Sequence, residues 1–134
     1  MRTIKFRARR KNGKWVVGNF INHFSTYFKT EERYSIFLPK PENDNGGYWV
    51  EDIDPETVGQ FTGLYDCDGK EIFEGDILDF NGLTVEVRFV RGVFAFLANG
   101  DLDEELCGDC RTDLFAKVIG NVYENPDILK GGEK

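Results

Sequence analysis

Apolar and polar residues alternate along most of this chain, which is the period of a β-strand with one face in a core. Ile4, Phe6 and Ala8 alternate with Lys5, Arg7 and Arg9. Lys11-Asn12-Gly13-Lys14 then supplies a turn, and Trp15, Val16, Val17, Phe20 and Ile21 read as the returning strand. From Asn22 to Leu38 the aromatics keep no clean period, and only Tyr34 to Leu38 reads as strand. Pro39 to Gly47, with two prolines and two glycines, reads as a loop, and Tyr48 to Ile53 resumes an extended segment.

The densest stretch is Asp54 to Phe80. Asp54-Pro55-Glu56 has the residue types of a helix N-cap and first turn and predicts one short helical turn. Gln60–Tyr65 and Lys70–Phe73 flank Asp66-Cys67-Asp68-Gly69, a hairpin signal; Glu74-Gly75-Asp76 breaks the pairing, and Ile77, Leu78 and Phe80 open a strand ending at Asn81-Gly82. Val85, Val87 and Phe89 alternate with Thr84, Glu86 and Arg88. Val93 to Ala98 is apolar on both faces (Val93, Ala95 and Leu97 against Phe94, Phe96 and Ala98), which predicts a strand buried on both sides, the second side a candidate subunit interface. Asp101 to Leu106 reads as a short helix with a capping box from Asp101 to Glu104, and Lys117 to Tyr123 as the last strand, stopped by Asn125-Pro126.

A chain of 134 residues with 12 Phe, 5 Tyr and 2 Trp has the length and aromatic content for a core. Without an apolar run near the roughly 20 residues of a membrane span, or a signal-peptide core at its N-terminus, it is expected to be soluble and cytoplasmic, with no membrane partner. Three cysteines in such a chain predict free thiols.

Charge changes the picture. The net charge of -7 disfavours a general nucleic-acid binder, yet seven of the 17 basic residues precede Trp15 with no acid among them, so the rest carries 10 basic against 24 acidic residues. Arg7, Arg9, Arg10 and Lys11, on one strand face and its turn, are the candidate nucleic-acid contacts, with Trp15 or Phe20 placed for stacking. The competing reading pairs them with the acidic body, including Asp101, Asp103, Glu104 and Glu105, or with a neighbouring subunit.

The remaining motifs favour structure over chemistry. Cys107-Gly108-Asp109-Cys110 has metal-ligand spacing, but only Cys67 and His23 remain to complete a tetrahedral zinc site. Asp66-Cys67-Asp68-Gly69 resembles superficially the DxDG opening of haloacid-dehalogenase phosphatases, but no buried parallel strand precedes it and no helix-rich remainder follows. The lone His23 has no nucleophile to serve. No catalytic residue, cofactor or metal is therefore assigned.

IKFRA at the start, DPETVGQFTGL and DGKEIFEGDIL at the centre, and VIGNVYENPDIL near the end resemble the YopX family of small bacteriophage and prophage proteins. The resemblance implies a mostly β, cytoplasmic protein of phage origin whose biochemical function is not established, and it carries over no catalytic residue. Cys67 departs from the ordinary polar turn residue of the family.

These readings predict a mainly β protein of short antiparallel strands and hairpins. An N-terminal hairpin region (residues 1–53) with a variable loop would precede an SH3-like barrel region with one short helix (54–126) and a frayed tail (127–134). The expected function is a non-enzymatic protein-interaction or self-assembly module, a homo-oligomer or the partner of a phage or host protein, self-associating through Val93, Ala95 and Leu97 or the aromatic Phe24 to Phe37 segment. The alternative is a nucleic-acid-associated module using the basic N-terminal strand.

Overall fold

The computed structural model describes residues 3–24, 32–39, 48–106 and 111–131. It is mainly β, with strands β1 (Phe6–Arg10), β2 (Trp15–Phe24), β3 (Glu32–Pro39), β4 (Tyr48–Tyr65), β5 (Glu71–Phe73), β6 (Asp76–Phe80), β7 (Leu83–Val90) and β8 (Val93–Ala98), helix α1 (Thr112–Phe115), strand β9 (Ala116–Asn121) and helix α2 (Pro126–Gly131). The chain divides into a unit of Thr3–Gln60 and a second unit containing Phe61–Lys134. The division falls inside β4 and not at residue 54, because the strand runs on through the Asp54-Pro55-Glu56 segment.

In the first unit every ladder is antiparallel, and the circuit closes: β1 pairs with β2, β2 with β3, β3 with β4, and β4 with β1. Each strand thus has two partners, and β2 and β4 meet theirs in succession, β2 pairing with β1 over 15–18 and with β3 over 19–24. Strand β4 changes partner at Asp52 and Ile53, pairing Asp52 with Ser35 of β3 and Ile53 with Arg10 of β1. The alternation read at the N-terminus places Ala8 and Val16 with Ile36 and Ile53 in a buried cluster, with Phe6, Phe20, Tyr34 and Val58 packed against it. Ile4 remains exposed.

The predicted helical turn at Asp54 is instead a bulge. Arg7 pairs with Gly59 but Arg9 pairs with Asp54, so three residues, Pro55, Glu56 and Thr57, are inserted opposite β1. Asp54 Oδ1 accepts the Glu56 N–H (3.1 Å), and the Thr57 hydroxyl donates to the Asp54 carbonyl (2.7 Å) while accepting the Arg9 N–H (2.8 Å). A side chain 2% exposed thus supplies the bond that the interrupted ladder lacks.

In the second unit the end of β4 pairs with β5, Phe61 opposite Phe73 and Tyr65 opposite Glu71. The remaining strands form an antiparallel sheet in the order β8-β7-β6-β9. The SH3-like barrel expected here is not what the ladders form: among the described residues no pairing joins the end strands β8 and β9, and β5 goes to β4. The core is Ile72, Leu78, Val85, Val87, Phe96 and Ala116.

Tight turns fall where glycine follows Asn or Arg. At Asn81-Gly82, Arg91-Gly92 and Asn99-Gly100 both residues have positive φ, as a type I′ turn requires. Gly75 answers to a close approach as well: its φ is 94°, and a Cβ there would lie 3.1 Å from the Tyr123 ring. The predicted Asp101–Leu106 helix is absent. Ala98 N–H donates to Glu104 O (2.9 Å) and Leu106 N–H to Phe96 O (2.8 Å), so this segment lies along the outer edge of β8, whose backbone groups outcompete a helix too short to sustain itself. Residues 127–131, expected as part of a frayed tail, belong to α2, which packs along β7.

Candidate functional site

The basic strand is not a free arm. β1 lies between β2 and β4, and its register puts Arg7 opposite Val17 and Arg9 opposite Trp15, on the face turned away from Ala8 and Val16. The Arg7 guanidinium lies 5.1 Å from the Trp15 ring centroid and that of Arg9 5.8 Å, so the cations predicted to reach phosphates and the aromatic predicted to stack form one cation–π cluster. Arg10 ends the strand, and Lys11 is exposed in the turn, which closes through Arg10 N–H to Lys14 O (2.8 Å) and Gly13 N–H to Arg10 O (2.9 Å).

Beside this turn the bulge of β4 leaves a concavity of about 600 Å³, with Arg9, Arg10, Lys11 and Asn12 on one side and Asp54 and Pro55 on the other. Sequence reasoning named the cations. It missed Asp54 and Pro55, whose place depends on β1 pairing with β4, and the part that Asn12 of the β1–β2 turn takes beside them.

The self-association residues divide. Ala95 and Leu97 are each 1% exposed, buried within the chain's own fold, whereas Val93 is 54% exposed. Strand β8 is indeed apolar and buried on both faces at its centre, since Phe96 and Leu97 point opposite ways and both are buried, but the second side is covered by the chain itself. Phe89, expected in the core from its alternation with Val85 and Val87, is 52% exposed, because the β7–β8 hairpin runs past the core before it turns. Its ring lies 5.2 Å from that of Phe94, edge to face. Arg91 at the turn is tied to Glu105 (2.8 Å), so an acid expected to face the basic arm has a partner of its own on this hairpin. The Phe24 to Phe37 segment lies partly outside the described residues.

The Asp66 turn is structural. Asp66 is buried; its Oδ1 accepts N–H bonds from Asp68 (2.9 Å) and Lys70 (2.8 Å), and its Oδ2 accepts the Val118 N–H (3.0 Å). Burial pushes its pKa up, but those donors and the Lys70 charge outweigh it and hold the carboxyl below its ordinary value. With Cys67 N–H on Ala116 O (2.9 Å), the turn is fastened to β9, and Asp66 is occupied as an acceptor. Cys67 is exposed and free. Cys107, Cys110 and the side chain of His23 lie outside the described residues, and among the described residues no three His, Cys, Asp or Glu side chains are grouped to hold a metal. No described helix is long and apolar enough to cross a membrane.

The family model described as YopX protein matches residues 5–130. No curated protein matches. Among solved structures, the crystal structure of protein EF1440 from Enterococcus faecalis is similar, at 25% identity and a TM-score of 0.60, covering 96% of this chain and 99% of that one.

Proposed function

This chain belongs to the YopX family, and we propose that it is a non-enzymatic self-assembly module of phage or prophage origin, working in the bacterial cytoplasm and docking through the tip of the β7–β8 hairpin. The carrying observation is the half-exposed apolar side chains Phe89 and Val93 at one hairpin tip, Phe89 sharing a face with its cross-strand partner Phe94 and Val93 lying on the other face with Val90, with Arg91 held by Glu105. Exposed apolar groups gathered on a preordered element are what an interface core needs, because little freedom is lost when they are covered.

A second copy is the occupant that best suits this tip. The segment at Glu104–Leu106 bonds the outer edge of β8 only at Phe96 and Ala98, so the Val93–Ala95 backbone on that side has no ladder partner among the described residues. Two such edges can pair about a two-fold axis, Arg91 of each copy facing the acids of the other, which is the self-complementary arrangement of a C2 dimer. Among the described residues the buried carboxylates Asp66 and Asp76 are engaged by backbone N–H groups of their own turns, which supports the non-enzymatic reading.

Light scattering across a concentration series tests the reading. A dimer is expected for the natural chain and a folded monomer for Phe89→Ser combined with Val93→Lys. A natural chain that stays monomeric, or a double variant that dimerises equally well, overturns it.

A further inference from the structure

The concavity beside the β1–β2 turn reverses the sign of the molecule around it. Arg9, Arg10 and Lys11 face a single carboxylate, Asp54, in a chain whose net charge is -7. The bond that Asp54 Oδ1 accepts from the Glu56 N–H does not cancel its charge, so three cations against one anion leave a local excess of two positive charges in the lining. Asn12 Oδ1 accepts the Lys14 N–H (3.0 Å), which leaves the Asn12 amide nitrogen as a donor. Buried Ile53 and exposed Pro55 add apolar wall. A volume of about 600 Å³ lies within the range of small-ligand sites and suits a nucleotide-sized group.

We propose that this concavity binds phosphate, carried either by a free nucleotide or by the backbone of a single-stranded nucleic acid. Guanidinium groups offer paired donors that match phosphate oxygens, and Lys11 adds a point charge at the rim. Arg9 also lies 5.8 Å from the Trp15 ring, which limits its freedom and orders it before a ligand arrives. The acidic remainder of the chain repels polyanions, which sharpens the contrast with this cationic lining. The proposal stands apart from the assembly reading, since a monomer would carry the same site.

Fluorescence anisotropy of a labelled oligothymidylate at low salt, with thymidine monophosphate and inorganic phosphate as competitors, tests it. Three cations predict a log–log salt slope of about −2, at roughly 0.7 per phosphate contacted in a single strand. Lys11→Glu should weaken binding about tenfold and flatten the slope by about 0.7, and Lys11→Gln should fall between it and the natural chain. The melting temperature reports that both variants remain folded. Oligonucleotide binding that the mononucleotide does not displace identifies a nucleic-acid backbone, and displacement by the mononucleotide identifies a free nucleotide; both support the site. Absence of binding by both organic probes at low salt, or binding that Lys11→Glu and Lys11→Gln leave unchanged, overturns it.

Discussion

Replacing Asp66 by Asn tests the junction on which the second unit is assembled. The carboxylate gathers three backbone N–H groups, two from its own turn and one from Val118 of β9. In Asp66→Asn the side-chain carbonyl can keep the two turn donors on Oδ1, but an NH2 group then meets the Val118 N–H. One donor without an acceptor costs about 1–3 kcal/mol when buried, and the loss of charge assistance at the other two bonds adds about 1 kcal/mol. The sum, about 2–4 kcal/mol, corresponds to a fall of roughly 6–16 °C in melting temperature for a chain of this size.

The pH dependence has a definite sign. The folded-state pKa of Asp66 lies below its ordinary 3.8, so the folded protein holds fewer protons on this group than the unfolded chain. Its stabilisation is therefore full above about pH 4 and is lost as the pH falls through the depressed folded value. Thermal denaturation followed by circular dichroism should show the gap between the natural chain and Asp66→Asn closing below about pH 4. A variant melting within about 1 °C of the natural chain at pH 7, or a gap that stays constant into acid, refutes the three-donor account.

Thr57→Val removes the hydroxyl that joins Arg9 N–H to the Asp54 carbonyl and should cost about 1–3 kcal/mol. Thr57→Ser keeps the hydroxyl and loses one methyl, about 0.8 kcal/mol, so urea unfolding should rank it above Thr57→Val; the reverse order would mean that packing and not the bond matters there. Burial pushes the Glu86 pKa up, and the Arg88 guanidinium at 3.6 Å offsets this only in part. A raised folded pKa means that the charged form costs stability above that pKa, so Glu86→Gln should melt higher than the natural chain at pH 7, and the gain should vanish as Glu86 protonates in acid. A variant that melts lower at pH 7 would show that the pairing with Arg88 outweighs burial.

What could be read from the chain was local. Asn81-Gly82, Arg91-Gly92 and Asn99-Gly100 impose their turns through two adjacent residues, and the Val85, Val87 alternation needs only one covered face. What escaped depends on partners far along the chain. The bond from Arg9 to Thr57 spans 48 residues, and with it the closure of β1 onto β4 and the concavity that closure creates. The cations of that concavity were visible as a basic run, but the bulge that walls it could not be inferred from a run. Phe89 departs from the core position its alternation predicts for a similar reason, because alternation marks the face on which a side chain lies and not how far the core extends beneath it.

The two Asx-Pro-acid segments show what decides such cases. Asp54-Pro55-Glu56 and Asn125-Pro126-Asp127 carry nearly the same opening chemistry, yet the first is a bulge within β4 and the second leads into α2. After Glu56 come Thr57, Val58 and Gly59, two of them β-branched, and a half-buried N–H of β1 takes its acceptor from the bulge. After Asp127 come Ile128, Leu129 and Lys130, only the first of them β-branched, and Ile128 N–H turns back onto the Asn125 carbonyl (3.1 Å). Local capping chemistry is compatible with a helix at both places, and the neighbouring strand's need for an acceptor overrules it at one. Removing that acceptor in Thr57→Val should therefore loosen the Ile53–Gly59 segment more than the rest of the first unit, seen as faster amide hydrogen exchange at Arg9 than at Val16; equal protection at the two would place the cause of the bulge elsewhere.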